Sequence, residues 1–108
     1  MPGTALAVGV VACTAALAVG LCSMAGAAAF GQRLAATADA AVLAAADAAS
    51  GAVDGVPCER AAELAATGDA VVADCRVDGL VATVTVSARF GVLVVSASAR
   101  AGPPPAAE

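Results

Sequence analysis

The chain has 108 residues, a formal net charge of −4 and 61% hydrophobic residues. That length holds one small globular unit at most. An acidic chain whose bases are five arginines lacks the basic patch that displaces counterions from nucleic acid. His, Lys, Tyr and Trp are absent, which removes the commonest general base, the commonest zinc ligand and most stacking platforms.

Most of the hydrophobic content is Ala and Val, so any core is thin. A buried methylene contributes only about 0.8 kcal/mol. A small domain with such a core needs a staple or a partner.

No charged side chain occurs from Met1 to Gln32, and the first charge is Arg33. The apolar run Thr4 to Phe30 exceeds the ~20 residues a bilayer core requires, so residues 1–32 are expected to be a transmembrane helix. A buried helix of a soluble core is the poorer reading, because nothing else in the chain would cover it all round. A cleaved signal peptide is the stronger rival, since Ala27-Ala28-Ala29 offers a cleavage site near Ala29. Against it, the apolar run is longer than the usual ~7–15 residues and no basic segment precedes it. Val10-Val11-Ala12-Cys13 resembles a lipoprotein box, but too little apolar sequence comes before it. Ala12, Ala16 and Gly20 recur at four-residue spacing, as do Ala27 and Gly31. This is the spacing that lets membrane helices approach closely, and an Ala/Gly-rich run also produces it by chance. Cys13 and Cys22 fall on opposite helix faces and cannot pair within one helix.

Residues 33–50 are rich in Ala and free of Pro, so the helix is expected to continue into water as one rod ending at Ser50-Gly51. Asp39 and Asp47 should face solvent. After a loop from Gly51 to Val56, Pro57 suits the first turn of a second helix and Gly68 its C-terminal cap. Cys58, Ala61, Ala62, Leu64 and Ala65 form its apolar face, with Glu59, Arg60 and Glu63 outside.

Ala70 to Val77 and Leu80 to Arg89 read as strands around an Asp78-Gly79 turn. That turn pairs Val77 with Leu80, Cys75 with Ala82, Ala73 with Val84 and Val71 with Val86, all on one apolar face. Arg76, Asp74 and Val72 fall on the other face, opposite Val81, Thr83 and Thr85. A second turn at Phe90-Gly91 pairs Ala88 with Leu93, Val86 with Val95 and Val84 with Ala97. The expected fold is therefore α+β: a long helix, a short helix and a three-stranded antiparallel meander. The helices cover the apolar side of the sheet in a small domain over residues 51–101. Gly102 and the prolines after it leave 102–108 as a disordered tail.

Cys58 and Cys75 both point at the interface between the short helix and the first strand. They are either a disulfide or two buried thiols. A disulfide closing this loop would stabilise by about 3 kcal/mol. It persists only outside the reducing cytosol, which would put the domain on the extracytoplasmic side of the cytoplasmic membrane. Charge does not help, because Arg33 just after the span mildly opposes that orientation.

No chemistry is legible. Glu59 and Glu63 lie one turn apart on an exposed face, no base is present to activate a nucleophile, and no glycine-rich phosphate loop occurs. No catalytic residue, metal site, cofactor or small-molecule substrate is expected, and the chain is read as a non-enzyme.

The run PGTALAV, then GQRLAATADAAVLAAADAAS, then CERAAELAATGDAVVADCRVDGLVATVTVSA resembles the TadE-like proteins of bacterial helicase/secretion gene neighbourhoods. The likeness covers nearly the whole chain. The Cys58 and Cys75 pair, Gly68 and the run Cys75-Arg76-Val77-Asp78-Gly79 carry most of its specificity. It implies a pseudopilin-like part of a tight-adherence (Flp-type) pilus or secretion apparatus, single-pass, with pilins or other apparatus membrane proteins as partners besides the bilayer. Two departures stand out. Prepilin processing uses a Gly with a Glu five residues into the mature chain; Gly3 would be that Gly, and Val8 stands at the Glu position. Either the start lies upstream or processing does not follow the usual course. The Phe90-Gly91 turn is also shorter than the family's usual connection. The alternative function is a soluble binding protein secreted after cleavage near Ala29.

Overall fold

The computed structural model describes residues 1–104. Its elements are α1 (Pro2–Ser50), α2 (Pro57–Thr67), β1 (Val71–Asp78), β2 (Val81–Phe90) and β3 (Leu93–Ala101). The strands form one antiparallel sheet in the order β1-β2-β3. The protein is a long α+β molecule, 76 × 35 × 17 Å, whose long axis comes from α1. Residues 105–108 of the expected tail lie outside the described residues.

α1 starts with Pro at its first turn and meets no further Pro. It ends at Gly51, whose φ of 81° is the left-handed conformation that glycine adopts freely. The N–H groups of Gly51 and Ala52 donate back to the carbonyls of Ala48 and Asp47. The two halves of the helix differ completely in environment. Every residue up to Ala29 is exposed, whereas Leu34, Ala38, Ala41, Val42 and Ala45 are buried. Their spacing of three and four makes one stripe. That stripe lies on β2, β3 and α2, so residues 33–50 form one wall of the domain.

The core is as thin as composition implies. Its largest fully buried side chains are Val42, Val84 and Val86, and Ala supplies most of the rest. β2 is the central strand and alternates between buried Ala82, Val84 and Val86 and half-exposed Val81, Thr83 and Thr85. On the outer face Thr85 and Ser98 share a hydrogen bond of 2.6 Å.

Both hairpins are displaced from the sequence-derived register. Val77 pairs with Ala82 and Cys75 with Val84; Ala88 pairs with Val95, Val86 with Ala97 and Val84 with Ala99. The turns are therefore Gly79-Leu80 and Gly91-Val92, not Asp78-Gly79 and Phe90-Gly91. Each glycine has positive φ, 60° at Gly79 and 63° at Gly91, while Leu80 and Val92 do not. A left-handed residue at the first central position is the type II′ arrangement. Where the ladder is regular, the partner of each residue moves by two positions, which leaves the residue on the same face. Face alternation has period two and cannot detect such a slip.

A second difference does change faces. The ladder is irregular between Val72 and Asp74, and Ala73 has no partner opposite it. This bulge re-aims the start of β1. Val72 packs against the core and Val71 is 65% exposed, the reverse of strict alternation. On α2, Ala61 and Ala65 are buried and Leu64 packs beside them, but Ala62 is exposed.

Candidate functional site

α1 up to Ala29 is bare. Leu6, Val8, Val10, Val11, Leu17, Val19, Leu21 and Met24 are all more than half exposed, and the arc of the helix between them is filled by exposed small residues such as Ala12, Ala16 and Gly20. A helix apolar on every side needs an apolar environment on every side. By length and composition this helix is able to cross a membrane. Two of its hydroxyls are satisfied internally: Thr14 donates to the Val10 carbonyl at 2.8 Å and Ser23 to the Val19 carbonyl at 2.9 Å. Such back-bonding removes the need for water around these groups.

Four of the five helix-packing residues proposed from spacing lie on this half. Ala12, Ala16, Gly20 and Ala27 are exposed, and Gly31 is half-buried where the domain begins. A Cβ added at Gly20 or Gly31 would meet nothing within 4 Å, so nothing among the described residues uses their small size. Cys13 and Cys22 are free and exposed.

Cys58 and Cys75 form a disulfide, with Cα atoms 6.0 Å apart and a sequence separation of 17. It joins the first turn of α2 to the edge strand β1, which makes little contact with α1. The bond thus ties down the strand that the Ala/Val core holds least. Beside it, Arg60 donates to the Asp54 carbonyl through Nε and Nη2, at 3.0 and 2.8 Å, and to Glu63 at 3.3 Å. These contacts hold the α1–α2 loop against α2. At the other end of α2, Gly68 has φ of −101° and Asp69 takes the left-handed turn at φ 56°. The need for glycine at 68 is spatial: a Cβ there would lie 2.6 Å from Thr37 Oγ1.

Sequence reading missed the end of the domain from which the bare helix emerges. Phe30 and Phe90 stack there with ring centroids 5.0 Å apart. A shallow cleft beside them is lined by Arg33, Gly68, Asp69, Ala88 and Arg89. The β2–β3 tip also lies there, with Val92, Leu93 and Val94 exposed. The signal was present as the unbroken apolar run Val92 to Val95, unusual for a turn and a strand edge. Among the described residues no three Cys, Asp or Glu side chains gather where they could hold a metal ion.

These features define the class as a small disulfide-tied α+β domain carried on a long helix with a bare apolar half. No protein-family model matches the chain, and no curated protein or solved structure matches it significantly.

Proposed function

We propose that this chain is a non-enzymatic, membrane-anchored component of a tight-adherence pilus or related secretion apparatus, similar to a minor pseudopilin. The observation that carries the reading is the bare apolar half of α1, continuous with the half that forms the wall of the domain. Anchor and domain share one rigid rod, as a subunit handed from membrane to filament requires. In such an assembly, neighbouring helices replace lipid around the apolar half, with Ala12, Ala16, Gly20, Ala27 and Gly31 as points of close approach. The Cys58–Cys75 disulfide supports an extracytoplasmic domain, and the TadE-like sequence features support the apparatus. The partners are then the bilayer and other apparatus membrane proteins, with no nucleic acid and no small-molecule substrate.

A second reading has one observation in its favour. All residues up to Ala29 are exposed and the core begins beyond them, so a chain cut after Ala29 keeps its entire core as a secreted binding domain. Fractionation of producing cells with mass measurement separates the two. A full-length, oxidised species in membranes or in the sheared surface fraction supports the apparatus component. A shortened species free in the medium overturns it in favour of the secreted domain.

A further inference from the structure

The tip of the β2–β3 hairpin exposes three apolar side chains at that end of the domain. Val92 is 94% exposed, Leu93 63% and Val94 65%. Val92 is in the turn, and Leu93 and Val94, adjacent on β3, project to opposite faces of the sheet, so the hairpin end is apolar on both sides; exposed apolar groups gathered in this way mark contact surfaces.

The position of the tip is set by Phe90, whose ring lies on that of Phe30. Phe30 ends the apolar run and comes three residues before the first charge, Arg33. The tip therefore sits where α1 leaves the domain. Gly91 and Val92 reach past Phe90 by up to about 6 Å, toward the bare helix, at roughly 3.3 Å per residue. The uncharged run Thr4 to Phe30 is about 40 Å long at about 1.5 Å per residue. That is about 10 Å more than the hydrocarbon core of a bilayer. When α1 spans, the surplus lies in the headgroup layer, and Phe30 takes the tip with it.

Charge at this end agrees. Arg33 and Arg89 line the cleft next to Phe30, with Asp69 as the one carboxylate of that lining. The cleft at the opposite end of the domain is lined by Asp47 and by no arginine. The excess of positive charge thus faces the side where anionic lipid phosphates would be.

We propose that the β2–β3 tip is a second membrane contact. Val92, Leu93 and Val94 enter the headgroup layer of the bilayer that α1 crosses, and Arg33 and Arg89 face its anionic phosphates. The contact rests on the reading of α1 as a membrane span and adds to it. Two points of attachment fix the tilt and rotation of the domain on the membrane, where one helix alone leaves them free.

The chain contains no Trp and no Tyr, so a single introduced Trp is a clean reporter. Full-length Val92→Trp and, at the opposite end, Val53→Trp are reconstituted into vesicles of phosphatidylcholine and phosphatidylglycerol with brominated acyl chains. Val94→Trp serves as a second reporter at the tip. The expected result is blue-shifted emission at the tip and quenching at least about twofold that of Val53→Trp, as for aromatic side chains at a membrane interface. Quenching should weaken in vesicles of phosphatidylcholine alone; equal quenching there overturns the role of the arginines. Protein that floats with the vesicles but shows water-like tip emission overturns the contact and leaves the anchor standing. Blue-shifted emission without quenching overturns it in favour of a second copy of the chain covering the tip. Protein that does not float overturns both the anchor and the contact.

Discussion

Phe30 and Phe90 are the chain's two aromatic residues, and they touch, with centroids 5.0 Å apart and planes inclined at 40°. One closes the apolar run of α1 and the other ends β2. The pair fastens the β2–β3 hairpin to the helix at the place where the domain meets the bare half. A tilted aromatic pair contributes about 0.5–1.5 kcal/mol beyond the area it buries. A double-mutant cycle of Phe30→Ala and Phe90→Ala, followed by urea denaturation in detergent, should return a coupling energy in that range. A coupling near zero would mean that the hairpin tip is held by its strands alone.

The disulfide should dominate stability. Replacing Cys58 and Cys75 together by Ala should destabilise the domain by about 3 kcal/mol, the loop-closure value for a bridge of this span. Reductant should lower the denaturation midpoint of the unaltered protein by a matching amount and leave the double variant unchanged.

Gly68→Ala tests the approach of α2 to α1. The added Cβ meets Thr37 Oγ1 at 2.6 Å and Cγ2 at 3.0 Å. The Thr37 hydroxyl is engaged, donating to the Arg33 carbonyl at 3.0 Å. Overpacking of this kind costs about 1–3 kcal/mol. Thr37→Ala removes both close atoms, so the loss from Gly68→Ala should shrink clearly in the Thr37→Ala background.

The bulge in β1 makes a prediction opposite to strict alternation. Val72→Ser should destabilise by about 1–2 kcal/mol, because Val72 packs against the core. Val71→Ser should stay within about 0.5 kcal/mol of the parent, as exposed substitutions do. Thermal unfolding of the two variants decides it; the reverse order would remove the bulge.

The anchor reading predicts a steep response to charge. Val11→Arg with Leu17→Arg places two charges where an arginine costs about 2.5–3.5 kcal/mol each at the centre of a spanning helix. Membrane-bound protein should fall sharply in flotation, while the disulfide still forms in material recovered from the oxidising compartment. Unchanged flotation would count against α1 as a span.

The sequence by itself determined the elements. An uncharged apolar run followed by Ala-rich sequence without Pro sets a helix to Ser50, Pro57 and Gly68 bracket the second helix, and alternation from Val71 onward marks the strands. It also placed Cys58 and Cys75 on facing surfaces, because helical and strand periodicities are local properties of the chain. Tertiary structure decided the rest. A two-position slip leaves every face unchanged, so the register depended on where each turn could put a left-handed glycine, at Gly79 and Gly91. The bulge at Ala73 exchanged the roles of Val71 and Val72. The meeting of Phe30 with Phe90, and the placing of Arg33 and Arg89 on one cleft, join residues far apart in the chain. Such contacts follow from how the sheet lies along α1, a relation that no local pattern encodes.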